Sequence, residues 1–199
     1  ISSGSMNLNF SKEDLLIGKN VLRLGLHNKI DGMDCIPSPY LTGLLDKYLN
    51  GKYIPTFQTA RGCPFLCTFC EQGLDENKIV SFSTKRMCDE LDYVCEKVSG
   101  YSGYKSIFIF DSNWGMYQKD LVLSDHILKL INKKNWPASI SLSTPKNKKQ
   151  QILDIDKKLK NRVRLSLSQQ SMNQETLKLI KRDNMNNDQY IKFVKELEQ

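Results

Sequence analysis

Cys63, Cys67 and Cys70 place three thiols within eight residues, in the segment Arg61-Gly-Cys63-Pro-Phe-Leu-Cys67-Thr-Phe-Cys70-Glu-Gln-Gly73. Thiolates are the ligands that iron–sulfur clusters take, and a cluster whose irons are all held by protein takes four of them. With three close together, one iron keeps an open position, and an open position on a metal marks a place for substrate or cofactor. Gly62, Gly73 and Pro64 suit a tight loop wrapped around such a group, its backbone N–H groups turned toward the sulfides. Structural zinc is the rival reading and needs a fourth ligand. Cys35, Cys88, Cys95, His27 and His126 are the candidates for it, none at the short paired spacing of zinc ribbons.

Something must hold that loop, and the sequence reads as strands alternating with helices. Short apolar or β-branched runs at 53–58, 106–110, 138–142 and 163–168 are the expected strands. Helical periodicity falls at 84–98, 118–133, 149–160 and 186–198, with a further turn or short helix at 176–181. Four strand–helix units in succession predict a parallel sheet, because each parallel crossover takes a helix. The three cysteines then leave the end of the first strand, where reactive loops of α/β folds gather. Ahead of the first strand, 6–52 reads as an extended connector with a short helix at 41–49.

Composition sets the frame. The 199 residues, 40% apolar and 26% charged, fit one globular domain with an arm. No run approaches the roughly 18 consecutive apolar residues of a membrane span, and no secretory signal opens the chain. The expectation is therefore a cytoplasmic protein without a membrane span, whose six cysteines are thiols rather than disulfides. The net charge of +7 comes from the second half, where lysines flank Ile152, Ile155 and Leu159 at helical spacing, as on a solvated helix face. Nucleic-acid binding is disfavoured, since aromatic residues are not interleaved with the basic ones.

The pattern Cys-x3-Cys-x2-Cys, with an aromatic before the last cysteine, resembles the signature of radical S-adenosylmethionine (SAM) enzymes. The segments Ile36-Pro-Ser-Pro-Tyr-Leu-Thr-Gly43, Thr59-Ala-Arg-Gly-Cys63 and Gln170-Ser-Met-Asn-Gln-Glu-Thr-Leu177 resemble the subgroup that carries a cobalamin-binding domain before its barrel. The resemblance implies an α/β fold, a partial radical SAM-type (β/α) barrel of about four of six strand–helix units. Residues 1–52 are then an arm following an absent cobalamin-binding domain, and 53–199 a truncated radical SAM core. It implies a 4Fe-4S cluster on Cys63, Cys67 and Cys70 and reductive cleavage of SAM to a 5′-deoxyadenosyl radical. Methyl transfer with cobalamin, bound by a domain outside this chain, is the implied transferase chemistry. The cofactors carry the hard step, so no side chain is assigned a catalytic role.

The same resemblance implies SAM contacts. Phe69 occupies the slot where the family packs adenine, and an ordinary core phenylalanine is the alternative. Asp111 and Asn113, in Asp111-Ser-Asn-Trp-Gly115, stand where the family's loop meets the SAM amino group, although the common Gly-Gly-Glu form is missing and a plain turn remains open. Ser168 and Gln170, alternating with Ser166, face the SAM ribose and carboxylate if the last strand continues through them. The expected partners are a small-molecule or biosynthetic-intermediate substrate and an electron donor such as ferredoxin or flavodoxin. Two other functions stay open: an iron–sulfur electron-transfer or binding protein that never cleaves SAM, and a zinc-stabilised nucleic-acid-binding module. Cys88 and Cys95, seven apart on one helix face with Leu91 between them, are expected in the core.

Overall fold

The computed structural model describes residues 33–70, 72, 79–145, 148–166, 168–182 and 184–197. His27, Glu71, Gly73 and most of the N-terminal arm lie outside the described residues. Strands β1 (Thr56–Phe57), β4 (Ser106–Ile109), β5 (Ser139–Ser143) and β6 (Val163–Ser166) form one sheet in the order β1-β4-β5-β6. All three pairings are parallel, with Ile107 opposite Ile140 and Leu142 opposite Leu165. Two-residue strands β2 (Ala60–Arg61) and β3 (Val80–Ser81) pair antiparallel beside it.

Helices α1 (Thr84–Val98), α2 (Gln118–Lys134) and α3 (Lys149–Lys158) connect the parallel strands, and α4 (Gln174–Leu179) and α5 (Asn187–Leu197) follow β6. Alternation along β4 explains which face they cover. Ile107 and Ile109 are buried, as are Phe57, Ile140 and Leu142 in register with them. Met87, Leu91, Val94 and Val98 of α1 and Leu123, Ile127 and Ile131 of α2 close over this face in one hydrophobic cluster. Burying each such side chain contributes roughly 1.5–3 kcal/mol. The opposite face carries Thr56, Phe108, Ser141 and Arg164, which are half-buried or exposed.

Local sequence fixes the helix ends. The Ser83 hydroxyl accepts the Arg86 backbone N–H and starts α1, and Asn135 ends α2 in the left-handed conformation at φ 53°. The helix expected at 41–49 is a series of turns with one 3₁₀ turn at Asp46–Tyr48. Gly43 is the reason, since its φ of +74° breaks any right-handed helix. This connector is tied to the sheet through Tyr40, whose hydroxyl donates to the Thr56 carbonyl at 2.7 Å and accepts the Thr56 N–H at 2.9 Å. Among the described residues, no helix is long and apolar enough to cross a membrane.

Because the four strands are parallel, the loops after β1, β4, β5 and β6 all leave the same edge of the sheet. The candidate residues sit on three of them.

Candidate functional site

The loop after β1 turns through β2, passes Gly62 at φ 92°, and carries the three cysteines. Cys67 is buried, and Cys63 and Cys70 are half-buried. Within the loop the Cys70 N–H donates to the Cys67 carbonyl at 3.0 Å. The Thr68 N–H donates to the Ile180 carbonyl at 3.1 Å, which docks the segment after α4 onto the cysteine loop.

The loop after β4 lies against the first cysteine. Asn113 is buried and its side-chain amide points at the Cys63 Sγ, 3.2 Å away. Tyr117 is close enough that, behind the dominant effect of burial, the charge of Cys63 helps push its phenol above the ordinary range. The Tyr117 hydroxyl is buried and makes no hydrogen bond.

Asp111 is engaged elsewhere. One carboxylate oxygen accepts the Thr59 N–H at 2.6 Å, the other accepts the Thr59 hydroxyl, and the Lys119 Nζ stands 3.7 Å from that second oxygen. Lys119 also donates to the Thr59 hydroxyl at 2.6 Å and lies 3.4 Å from Asp120. Asp120, fully buried, accepts the N–H groups of Gly115 and Tyr117 on one oxygen. Burial, the largest influence, pushes its carboxyl upward. Two carboxylates, one ammonium and a hydroxyl thus brace the start of the cysteine loop against the loop after β4.

Phe69 is half exposed, not a core residue, with the Arg182 guanidinium 5.7 Å from its ring centre. Arg182 is buried and donates to the Ser168 carbonyl, while its Nε makes no hydrogen bond. Ser168 and Gln170 are exposed beside it. The expected strand over 163–168 ends at Ser166, and Gln170 takes φ 63°, so side-chain alternation does not carry on through Gln170. The structure therefore brings Cys63 to Asn113, and Phe69 to the Ser168 backbone through Arg182. Lys119 and Arg182 had no distinguishing signal in the sequence, because Thr59 and Phe69, which they meet, lie far along the chain.

The other candidates sit apart. Cys95 is buried and Cys88 packs partly buried on the core, as expected for small apolar side chains. His126 is half-buried, its Nε2 2.8 Å from Asp92. Among the described residues, no three His, Cys, Asp or Glu side chains converge on one metal ion. An iron–sulfur cluster does not ask for that convergence, since each thiolate binds a different iron. Three thiols on one loop, with a buried amide N–H directed at a sulfur, are a donor set that fits such a cluster.

No family model matches the chain. It is 27% identical over 167 residues to the cobalamin-dependent radical SAM methyltransferase TokK of Streptomyces tokunonensis, covering 79% of this chain and 24% of that protein. It is 26% identical over 167 residues to the 2-(S-pantetheinyl)-carbapenam-3-carboxylate methyltransferase of Streptantibioticus cattleyicolor, with the same two coverages. The chain is similar to cobalamin-dependent radical SAM proteins. It spans about a quarter of the length of these curated relatives. The structure of the cobalamin-dependent radical SAM enzyme OxsB, with aqua-cobalamin and SAM bound, superposes with a TM-score of 0.57 at 16% identity, over 81% of this chain and 24% of that one. That likeness is one of fold.

Proposed function

We propose that this chain forms part of a radical SAM enzyme in which Cys63, Cys67 and Cys70 hold a 4Fe-4S cluster and leave one iron open to SAM. The observation that carries the reading is the placement of three thiols on the loop leaving β1, at the sheet edge where the loops after β4 and β6 also emerge. When bound, the cluster supplies the electron that breaks a carbon–sulfur bond of SAM.

The chain's own groups bind and orient. Phe69 presents an exposed ring for adenine, steadied by Arg182. Ser168 and Gln170, exposed on the loop after β6, offer polar groups to the ribose and carboxylate. Asn113, its amide 3.2 Å from the Cys63 sulfur, would face the cluster. Asp111 acts with it by positioning, since Thr59 and Lys119 occupy its carboxylate. Residues 53–199 would form part of a (β/α) barrel, preceded by the 1–52 arm. Methyl transfer with cobalamin is the activity that the relatives' names support, and to it we add, as the reading's own expectation, cobalamin held outside this chain, a small-molecule substrate and a ferredoxin- or flavodoxin-type electron donor.

Iron and sulfide content after anaerobic reconstitution tests the ligand assignment. Cys67→Ala should lose the cluster and with it SAM cleavage to 5′-deoxyadenosine, whereas Cys88→Ala should keep both. Equal loss from the two variants would mean that the ligands are misassigned. A cluster without SAM cleavage would instead favour electron transfer, and zinc uptake a structural metal module.

A further inference from the structure

We propose that Asn113 tunes the reduction potential of the cluster by donating its side-chain N–H to the Cys63 sulfur, a role that rests on Cys63 being a cluster ligand. The Asn113 Nδ2 lies 3.2 Å from Sγ, within hydrogen-bond range for a sulfur acceptor, and the side chain is 7% exposed. Water therefore competes little for that bond, and a hydrogen bond to a charged group out of water is worth more than one at the surface.

The surrounding loop is held as though Asn113 must not move. Two residues before it, Asp111 is bound to Thr59 at the base of the cysteine loop. The Ser112 hydroxyl donates to Gln72, on the far side of the cysteine segment. Trp114 is 1% exposed in the core. Gly115, at φ +93°, donates its N–H to Asp120 and accepts the Gln151 amide at 2.6 Å, and a Cβ there would run into Ile152. The two residues on either side of Asn113 are thus fixed by separate contacts, more than a solvent-exposed turn requires. The outcome is a donor pre-set against one sulfur, and hydrogen bonds to ligand atoms are a means by which proteins adjust metal centres.

The direction follows from charge. One electron, delivered by dithionite, enters the cluster and no bond is made or broken. The added negative charge spreads onto the thiolate sulfurs, so a donor on Cys63 stabilises the reduced cluster more than the oxidised one. Removing it makes reduction harder.

The test is a dye-mediated potentiometric titration of the reconstituted protein without SAM, with reduction followed by electron paramagnetic resonance. Asn113→Leu, similar in size and without a donor, should disfavour one-electron reduction roughly tenfold, about 59 mV toward more negative potential. Ser112→Ala, which loosens the same loop without touching the sulfur, should leave the potential where it was. An unchanged potential in Asn113→Leu, or an equal shift in Ser112→Ala, overturns the proposal. A variant that changes only SAM affinity overturns it too, because Asn113 would then act on SAM and not on the cluster. Should Asn113→Leu fail to load iron, pulsed paramagnetic resonance of the reduced wild type decides. Protein labelled with nitrogen-15 at asparagine should show coupling to the side-chain amide, and its absence contradicts the bond. A wild type that takes up no cluster overturns the cluster reading itself, a result distinct from a loaded protein whose potential ignores Asn113.

Discussion

Asp111 reaches back 52 residues to Thr59, taking its backbone N–H at 2.6 Å and its side-chain hydroxyl as well. This contact joins the end of β1 to the loop after β4, and Lys119 fills the remaining space with an ammonium 3.7 Å from the carboxylate. The geometry of the cysteine loop depends on it.

Removing Asp111 should therefore cost more than its single side chain suggests. Asp111→Ala leaves the buried Thr59 N–H and hydroxyl without their acceptor, while Lys119 keeps Asp120 at 3.4 Å, an effect of roughly 1–3 kcal/mol for a buried polar group left unsatisfied. Asp111→Asn keeps one acceptor and should cost less. Urea unfolding of the two variants checks the order, and a loss within about 0.5 kcal/mol for the alanine variant, as at an ordinary surface position, would show that the brace is not stabilising.

The Phe69 and Arg182 pair predicts a coupling. A double-mutant cycle with Phe69→Ala and Arg182→Ala should give about 0.5–2 kcal/mol of interaction free energy in unfolding, the range for a cation over an aromatic ring. Additive losses would mean that Arg182 serves Ser168 alone.

Cys95 predicts a pH dependence. Burial pushes its thiol up to about 11. An acid with a higher folded than unfolded pKa ionises first in the unfolded chain, so its contribution is intact below the ordinary thiol range and is lost between that range and about 11. Stability of the wild type should decline as pH rises above about 9, and Cys95→Ala should show a shallower decline over the same window. Parallel pH curves would remove Cys95 as the cause.

A smaller effect is expected at the start of α1. Ser83→Ala leaves the Arg86 N–H without its cap and should lower stability by about 1 kcal/mol, measurable as a shift in thermal midpoint. No shift would mean that water replaces the cap without cost.

Much of the fold was legible because long apolar and periodic stretches dominate it. The four parallel strands and the helices at Thr84–Val98, Gln118–Lys134 and Lys149–Lys158 all fall on runs whose spacing declares them. The pair Ala60–Arg61 with Val80–Ser81 was not legible, since two residues have no period and their pairing is made across the cysteine loop. The turns at 41–49 were hidden for the opposite reason: leucines at helical spacing masked Gly43, whose positive φ stops the helix. In the site, the thiols announced themselves by spacing, whereas Asn113 came only through the family resemblance of its loop. What the amide meets could not be read, because Cys63 lies 50 residues away. Arg182 was invisible on the same ground, its ring partner standing on a different loop.

The most direct measurement is electron paramagnetic resonance of the anaerobically reconstituted, reduced protein with and without SAM. A four-iron signal that shifts when SAM is added is the expected result, because an iron without a protein thiolate would take the SAM amino and carboxylate groups. A protein that binds zinc in place of iron, or a cluster signal indifferent to SAM, would contradict the assignment of Cys63, Cys67 and Cys70 as the ligands of an open SAM-binding cluster.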